Sequence, residues 1–149
     1  MKNVILCDLD GTIANITHRL PCIFPPEGQR KDWEAFHAGC VNDTPYTDVI
    51  EVVEALMDGT RKLYFLSGRN DTVREQTVKW IDTHVWAKYT LCMRKAEDRR
   101  PDHIIKLEMV QQLGLTPEDV LCIFDDRQSV VDMWRANGFR VLQVAAWKE

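Results

Sequence analysis

The sequence has no long apolar run and no cysteines at the spacing of a metal site. Its five cysteines form no CxxC pair, which excludes the common zinc motifs. Cys7, Cys92 and Cys122 lie inside short apolar runs, which favours reduced core thiols. The apolar start of the chain is interrupted by Asp8 and Asp10, so it is too short for a signal peptide. No stretch approaches the roughly 20 apolar residues of a membrane span. These absences predict a soluble, cytoplasmic protein that does not contact a membrane.

Positive charge is also scarce. The 149 residues contain 19 Lys and Arg against 23 Asp and Glu, a formal net charge of -4. This balance excludes a protein that coats nucleic acid through a broad basic face, but it allows a small basic patch at one site. A chain of this length, 45% hydrophobic, can bury one core and not two. We therefore expect a single domain over 1–149.

Short apolar runs alternate along the chain with stretches of helical apolar spacing. Short continuous runs of this kind are typical of strands that are covered on both faces. Alternation with helices then predicts an α/β fold, a doubly wound parallel sheet of the Rossmann-like kind. The predicted strands are 3–7, 62–66, 89–93, 120–124 and 140–144, and the predicted helices lie within 49–57, 73–81, 104–113 and 130–134.

The segment 15–47 breaks this alternation. It holds four of the six prolines and two of the seven glycines, with one short helix predicted near 31–38. We interpret it as an irregular flap that is too short to be a folded cap domain. Trp33 and Phe36 are helically spaced within it, and they have two interpretations. They could stack on a nucleobase, or they could anchor the flap to the core, which such pairs do more often.

Polar side chains stand at the carboxyl ends of four predicted strands. They are Asp8, Ser67, Arg94 and Asp125. In a doubly wound sheet these ends meet at one edge, where ligands bind near the switch point of the strand order. The sequence therefore predicts a site at this edge.

The run 8–12, Asp-Leu-Asp-Gly-Thr, places two carboxylates where the first strand ends. Asp8 can attack phosphorus while Asp10 moves a proton. Gly11 allows a sharp turn that brings the backbone close to a phosphate. The alternative is a solvated, Asp-rich turn, but the preceding apolar strand and the following Gly-Thr favour a functional site.

Four motifs resemble those of the haloacid dehalogenase superfamily, in the same order and over nearly the whole chain. They are the run 8–12, the Leu-Ser-Gly-Arg run 66–69, Lys106 near the start of a helix, and the Phe-Asp-Asp-Arg run 124–127. The resemblance implies a Mg²⁺-dependent phosphatase that forms an aspartyl phosphate.

The resemblance also implies roles for individual residues. The catalytic residues would be Asp8, Asp10, Ser67 and Lys106. The Mg²⁺ ligands would be Asp8, the backbone carbonyl of Asp10, and Asp125. The substrate-binding residues would be Thr12, Arg19, Gly68, Arg69, Arg94 and Asp126. For Asp126 the alternatives are to orient Lys106 or to orient a metal-bound water.

Within the superfamily, the chain is most similar to the 3'-phosphatase domain of phage-type polynucleotide kinase. The similarity lies in the runs 125–135 and 143–145, and in Arg19 and Arg94. It implies removal of 3'-phosphate from DNA or RNA ends, in bacteriophage-like end repair, with a separate kinase or ligase as a partner. No phosphate-binding GxxxxGK[ST] loop occurs in the 149 residues, so we expect no kinase activity from them.

Two other functions stay open from the sequence. A phosphatase of free nucleotides or other small phosphomonoesters would show no dependence of its rate on substrate chain length. A phosphate-binding module without catalysis would not turn over a generic aryl phosphate. The choice between DNA and RNA and the oligomeric state also stay open.

Overall fold

The computed structural model describes residues 2–147, which form a central parallel sheet with helices on both faces. The elements, in chain order, are β1 (Val4–Cys7), β2 (Ala14–Asn15), α1 (Trp33–Ala38), β3 (Thr44–Pro45), α2 (Thr47–Ala55), β4 (Lys62–Asn70), α3 (Arg74–His84), β5 (Thr90–Arg94), α4 (Asp102–Gln112), β6 (Val120–Arg127), α5 (Gln128–Ala136) and β7 (Val141–Trp147). Three 3-10 helices cover Thr17–Cys22, Gly39–Asn42 and Asp71–Val73.

The central sheet has five strands in the order β5-β4-β1-β6-β7. Every neighbouring pair in it is parallel. The chain moves outward from β1 through β4 to β5, and then crosses back to β6 on the other side of β1. The strand order therefore switches direction beside β1, which is where such folds bind ligands. The predicted α/β class and parallel sheet are confirmed.

The core consists of two apolar layers, one on each face of the sheet. Successive residues of a strand point to opposite faces, so Ile5 of β1 joins one layer and Leu6 joins the other. Helices α2 and α3 cover the first face, for example through Ile81, and α4 and α5 cover the second through Val110 and Trp134. Among residues 2–147, no helix combines the length and the apolar character needed to cross a membrane.

Four strands continue past the bounds predicted for them, and two of these, β4 and β6, carry residues of the site. Strand β5 ends at Arg94 rather than 93, and β7 ends at Trp147 rather than 144. Strand β4 reaches Asn70 rather than 66, and β6 reaches Arg127 rather than 124. In both strands the pairing register shifts in the added part, after Ser67 in β4 and after Asp125 in β6. The polar residues of the site thus lie in irregular strand ends, which apolar periodicity cannot detect because the added residues are polar.

The segment 15–47 contains only short elements. Strands β2 and β3 pair antiparallel, and Ile16, Ile23 and Phe36 form a small apolar cluster of their own. The predicted helix near 31–38 begins at Trp33 because the Asp32 carboxylate accepts a hydrogen bond from Ala35 N at 2.9 Å. A side-chain acceptor at this position satisfies a backbone N–H that has no partner within the helix.

Candidate active site

Three carboxylates meet at the carboxyl edge of the sheet, beside β1. Asp8 follows the last residue of β1, and Asp125 and Asp126 lie in the irregular end of β6. One oxygen from each lies within 4.8 Å of the others, and all three side chains are buried. With Lys106 of α4 they form what we call the strand-end cluster. The strand order explains the meeting, because β1 and β6 are neighbours at the switch point.

Both carboxylate oxygens of Asp8 are held by donors. Lys106 Nζ lies 2.7 Å from Asp8 Oδ1 and 3.2 Å from Asp125 Oδ2. Thr12 Oγ1 donates to Asp8 Oδ2 at 3.0 Å. The indole N–H of Trp134 donates to Asp125 Oδ2 at 3.2 Å. The apolar spacing of the helix predicted within 130–134 places Trp134 in the core and gives no sign of this contact.

The strand-end cluster has more negative than positive charge. Three carboxylates against one ammonium leave two formal negative charges in a buried site. Burial raises the pKa of Asp8 well above its usual range. The charge of Lys106 lowers this pKa, and the charges of Asp125 and Asp126 raise it further. Burial and the charge of Asp125 raise the pKa of Asp126 to about 6. A divalent cation would restore the balance, and a ligand set made only of oxygens suits Mg²⁺. The residues present therefore fit the predicted metal.

A second group of charges lies next to the first. Arg19 Nη2 is 2.8 Å from Asp10 Oδ1, and Arg69 Nη2 is 2.6 Å from the same oxygen. Both guanidinium groups also reach Asp43 Oδ2, at 2.8 Å and 3.0 Å. We call these four residues the flap cluster, since two of them come from 15–47. Its two positive charges and two negative charges are formally balanced.

The flap cluster controls the ionisation of Asp10. Burial alone would raise the pKa of this carboxyl, but the charges of Arg69 and Arg19 outweigh burial and hold the pKa below its usual value. In the ligand-free protein, Asp10 is therefore a carboxylate at neutral pH. Its side chain is turned to the arginines, while Asp8 is turned to Lys106.

Asp43 is a site residue that the sequence did not reveal. Its buried carboxylate accepts from Arg19 Nε at 2.9 Å and contacts His18 Nε2 at 2.7 Å. Its backbone carbonyl accepts from Trp80 Nε1 at 2.8 Å. Asp43 belongs to no local motif, and Arg19 and Arg69 lie 24 and 26 residues away along the chain. No signal in the sequence could have identified it.

Ser67 and Gly68 continue the site along β4. Ser67 is buried, and its Oγ accepts from Arg69 N at 3.0 Å. A Cβ on Gly68 would lie 2.6 Å from Asp102 Oδ1, so a larger residue would displace Asp102. Asp102 was also missed, although its position one helical turn before Lys106 on α4 is a signal that could have indicated it.

Arg94 lies at the rim and binds the loop that follows it. Its Nε donates to Gly68 O at 2.8 Å, and its Nη1 donates to Asp98 O at 3.0 Å and Arg100 O at 2.5 Å. Its Nη2 forms an ion pair with Asp102. These contacts are not with Asp8 or Asp10, so Arg94 lies apart from both clusters. Its binding of substrate stays a prediction.

Gly11 shows why the turn after β1 needs a glycine. Its φ is +82°, and a Cβ there would lie 2.0 Å from Asp126 Oδ2. A positive φ favours glycine, and the short distance leaves no room for a side chain. The turn can thus bring Thr12 and Asp126 to the same site, where Thr12 Oγ1 lies 3.4 Å from Asp126 Oδ1.

The structure brings most of the predicted site residues together. The strand-end cluster and its neighbour Thr12 account for Asp8, Lys106, Asp125 and Asp126. The flap cluster contains Asp10, Arg19 and Arg69, and β4 places Ser67 and Gly68 directly before Arg69. Arg94 lies at the rim. Asp126, predicted to bind substrate, lies among the carboxylates that could hold the metal.

Comparisons with known proteins agree with this geometry. The family model described as the polynucleotide kinase PNKP phosphatase domain matches residues 2–147. A putative bifunctional polynucleotide kinase/RNA ligase of Autographa californica nuclear polyhedrosis virus is 32% identical over 133 residues, which cover 88% of this chain and 17% of the viral protein. The chain therefore spans less than a fifth of that relative.

Solved structures give the same result. A chain in the structure of a Pnkp1/Rnl/Hen1 complex is 28% identical, with a TM-score of 0.79 over 99% of this chain and 48% of that one. A haloacid dehalogenase-like hydrolase from Streptococcus pneumoniae, 16% identical with a TM-score of 0.68 over 95% of this chain and 84% of its own, shows the shared fold. Because the family model spans nearly the whole chain, this protein belongs to the phosphatase-domain family of polynucleotide kinase, within the haloacid dehalogenase-type phosphatases.

Proposed function

We propose that this protein is a Mg²⁺-dependent phosphomonoesterase that removes 3'-phosphate from polynucleotide ends through an aspartyl phosphate on Asp8. The observation that carries the proposal is the setting of Asp8. Its carboxylate is held by Lys106 and Thr12 at the switch point of the sheet, beside Asp125 and Asp126. A carboxylate fixed in this way can act as a nucleophile, because its attacking oxygen needs little reorganisation.

The first chemical step forms a bond from an Asp8 oxygen to phosphorus and breaks the bond to the ester oxygen. Lys106 and Arg69 offset negative charge on the phosphoryl group, and the Ser67 hydroxyl donates a hydrogen bond to it. Mg²⁺, held by Asp8, Asp125 and the carbonyl of Asp10, would neutralise the repulsion between carboxylate and phosphate. Asp126 provides a further carboxylate beside these ligands.

Asp10 moves the protons in this proposal. It gives a proton to the leaving oxygen, and later takes one from the water that hydrolyses the aspartyl phosphate. In the free protein Arg19 and Arg69 keep Asp10 ionised. A substrate phosphate competes for the same guanidinium N–H groups, which bind phosphate as readily as carboxylate. Weaker contacts to the arginines raise the pKa of Asp10, so substrate binding itself prepares the acid.

The relatives support a polynucleotide end as the substrate. The matching family model is that of a polynucleotide kinase phosphatase domain, and one structural relative is part of a complex named for RNA repair. The viral relative is named as a kinase and a ligase, and this chain covers 17% of it. We therefore propose that a kinase or a ligase, on a separate chain or elsewhere in the same protein, acts on the same ends.

A substrate panel tests the proposal. We expect the highest kcat/KM on a 3'-phosphorylated oligonucleotide, as DNA or RNA, compared with a 5'-phosphorylated one and with free 3'- and 5'-mononucleotides. Equal or better kcat/KM on the free nucleotides would end the polynucleotide proposal and favour a small-molecule phosphatase. If even a generic aryl phosphate is not hydrolysed with Mg²⁺ present, the protein is a phosphate-binding module and the whole proposal fails.

A further inference from the structure

Helix α1 of the flap separates two aromatic residues that share one face in the sequence pattern. Phe36 is 6% exposed and packs with Ile16 and Ile23, whereas Trp33 is 51% exposed. Phe36 is therefore buried in the flap's own apolar cluster and not in either layer of the core, and the anchoring interpretation does not explain Trp33. An exposed tryptophan is the largest apolar surface a side chain can leave in water, and burying it in a complex would be favourable.

A continuous series of contacts connects α1 with the site. Arg19, which binds Asp10, also donates from Nη1 to the carbonyl of Phe36 at 3.1 Å. The guanidinium carbon of Arg19 lies 4.4 Å from the centre of the Phe36 ring, in a cation–π contact. The Trp33 ring meets the Phe36 ring edge-on, with 5.7 Å between centroids. Trp33 is thus two contacts away from Arg19, at the rim of the flap cluster.

His37 contacts Trp33 and is influenced by the charges of the site. Its ring stacks on that of Trp33, with centroids 6.1 Å apart and an interplanar angle of 28°. Burial lowers the pKa of His37, and the charges of Asp10, Arg19 and Arg69 also act on it. The imidazole is therefore neutral at neutral pH. Its Nδ1 is buried and has no hydrogen-bond partner within the described part of the chain.

A basic side chain lies over the ring of Trp33, and a second basic residue precedes it in the chain. Lys31 Nζ lies 5.8 Å from the centre of the Trp33 ring, and both Arg30 and Lys31 are exposed. The adjacent Asp32 uses its carboxylate to cap α1, and Glu34 lies in the first turn of that helix. A half-exposed aromatic ring beside exposed basic side chains is the combination that binds single-stranded nucleic acid, where bases stack and phosphates pair with cations.

We propose that Lys31, Trp33 and His37, which we call the α1 platform, bind the 3'-terminal region of a single-stranded polynucleotide. A nucleobase stacks on Trp33, and Lys31 contacts a neighbouring backbone phosphate. The proposal rests on the proposed function, since it takes the reacting 3'-phosphate to lie beside Asp8 and Arg19. Stacking does not depend on base identity, because every base has a π-face. The platform would thus select for a polynucleotide without selecting for its sequence.

The test compares three variants on two substrates. Trp33→Ala removes the stacking surface, Trp33→Phe keeps an aromatic ring, and Trp86→Ala is the matched control because Trp86 is 73% exposed elsewhere on the surface. On a 3'-phosphorylated oligonucleotide we expect Trp33→Ala to raise KM about tenfold, as loss of one base–aromatic stack does, with kcat unchanged. Trp33→Phe should recover most of the loss. All three should hydrolyse a generic aryl phosphate like wild type.

Abasic substrates give a second measurement on the unaltered protein. With oligonucleotides that lack the bases nearest the 3'-phosphate, the KM of wild type should rise by the same factor as the Trp33→Ala substitution causes. The KM of Trp33→Ala should be the same with and without those bases. This coupling between Trp33 and the base separates stacking from a packing role in the flap. If Trp33→Ala does not fold, the abasic series on wild type and on Trp33→Phe decides.

The outcomes distinguish the two proposals. If wild type prefers the oligonucleotide but its KM is indifferent to Trp33 and to the missing bases, the platform is refuted and the proposed function stands. If wild type prefers free mononucleotides and Trp33→Ala still raises their KM, base stacking holds and the polynucleotide function fails. If mononucleotides are preferred and Trp33 has no effect, both fail.

Discussion

The two charged clusters of the site are built in different ways. The strand-end cluster, with Asp8, Asp125, Asp126 and Lys106, comes from two neighbouring strands and a helix of the core. The flap cluster combines Asp10 and Arg69 from the β1 turn and β4 with Arg19 and Asp43 from the irregular segment 15–47. The first cluster has excess negative charge, and the second is formally neutral.

This difference indicates what each cluster needs in order to work. Buried like charges are unfavourable unless a cation offsets them, so we expect the strand-end cluster to need a metal before a phosphate can approach. The flap cluster is already paired within the protein. In the proposed function a substrate phosphate competes with Asp10 and Asp43 for the arginines, so substrate binding and preparation of the acid would be coupled there. The predictions below test this contrast, beginning with the largest expected effect.

Asp8→Asn should reduce turnover to background on every substrate, because the amide keeps the shape of the side chain and loses its nucleophilic oxygen. Beryllium fluoride should bind beside Asp8 in wild type and not in the variant. Asp48→Asn is the control, since Asp48 is exposed and its carboxylate accepts only from the adjacent Val49 N among the described hydrogen bonds. Retention of more than a few per cent of activity would rule out the covalent mechanism.

Asp125→Ala should steeply raise the Mg²⁺ concentration needed for activity, since it removes a carboxylate from the strand-end cluster. Because an ion that binds only the folded state stabilises it, Mg²⁺ should raise the thermal unfolding midpoint of wild type and not that of Asp125→Ala. Asp132→Ala is the control, as Asp132 lies exposed on α5 and contacts Gln128. Full activity of chelated wild type would show that the acidic residues are wrongly assigned to a metal.

Asp43→Ala should destabilise the fold, because it leaves Arg19 and Arg69 buried with Asp10 as their remaining carboxylate partner. Removing one member of a buried ion pair costs about 3–5 kcal/mol in free energy of unfolding, and the contacts to Asp10 place the expected value at the lower end. Asp43→Asn keeps an acceptor oxygen and should lose less. Denaturant unfolding measures the stability of both variants, with Asp48→Ala as the exposed control. If Asp43→Ala lowers the free energy of unfolding by less than about 1 kcal/mol, as at a surface site, the assigned role is wrong.

Arg19→Lys should lower kcat/KM on a 3'-phosphorylated oligonucleotide by at least about tenfold, or roughly 1.4 kcal/mol. A lysine cannot reproduce the planar fork that serves Asp10, Asp43 and a phosphate. Arg94→Lys should also cost about tenfold if Arg94 binds substrate, and less than Arg19→Lys because its donors go to the rim loop. Arg61→Lys is the control at the opposite edge of the sheet. Near-wild-type activity of both Arg19→Lys and Arg94→Lys would exclude arginine recognition of the polynucleotide.

The sequence predicted the strand-end cluster well, for a physical reason. Asp8 and Asp125 directly follow buried apolar runs, and the carboxyl ends of parallel strands meet at one edge. Their proximity is therefore a consequence of the strand order, in which β1 and β6 are neighbours. Lys106 was predicted because it belongs to the same set of motifs.

The flap cluster was predicted only in part. Arg19 and Arg69 were identified from motifs, but the sequence carries no sign that one oxygen of Asp43 would join both. The segment 15–47 has no periodicity, so nothing local predicts which of its polar groups turn inward. Asp102 was missed for another reason. Its spacing from Lys106 on α4 was a usable signal, but its ion pairs with Arg94 and Arg127 connect separate elements.

The sequence by itself determined the fold class, the order of strands and helices, and which carboxylates lie at the end of β1 and β6. These follow from local apolar periodicity and from residues adjacent in the chain. Only the tertiary structure decided how Asp10 pairs with two arginines, that Asp43 completes the network, and that Phe36 is buried while Trp33 remains exposed. Such pairings depend on how an irregular segment packs against a distant sheet edge, and no short-range pattern specifies that packing.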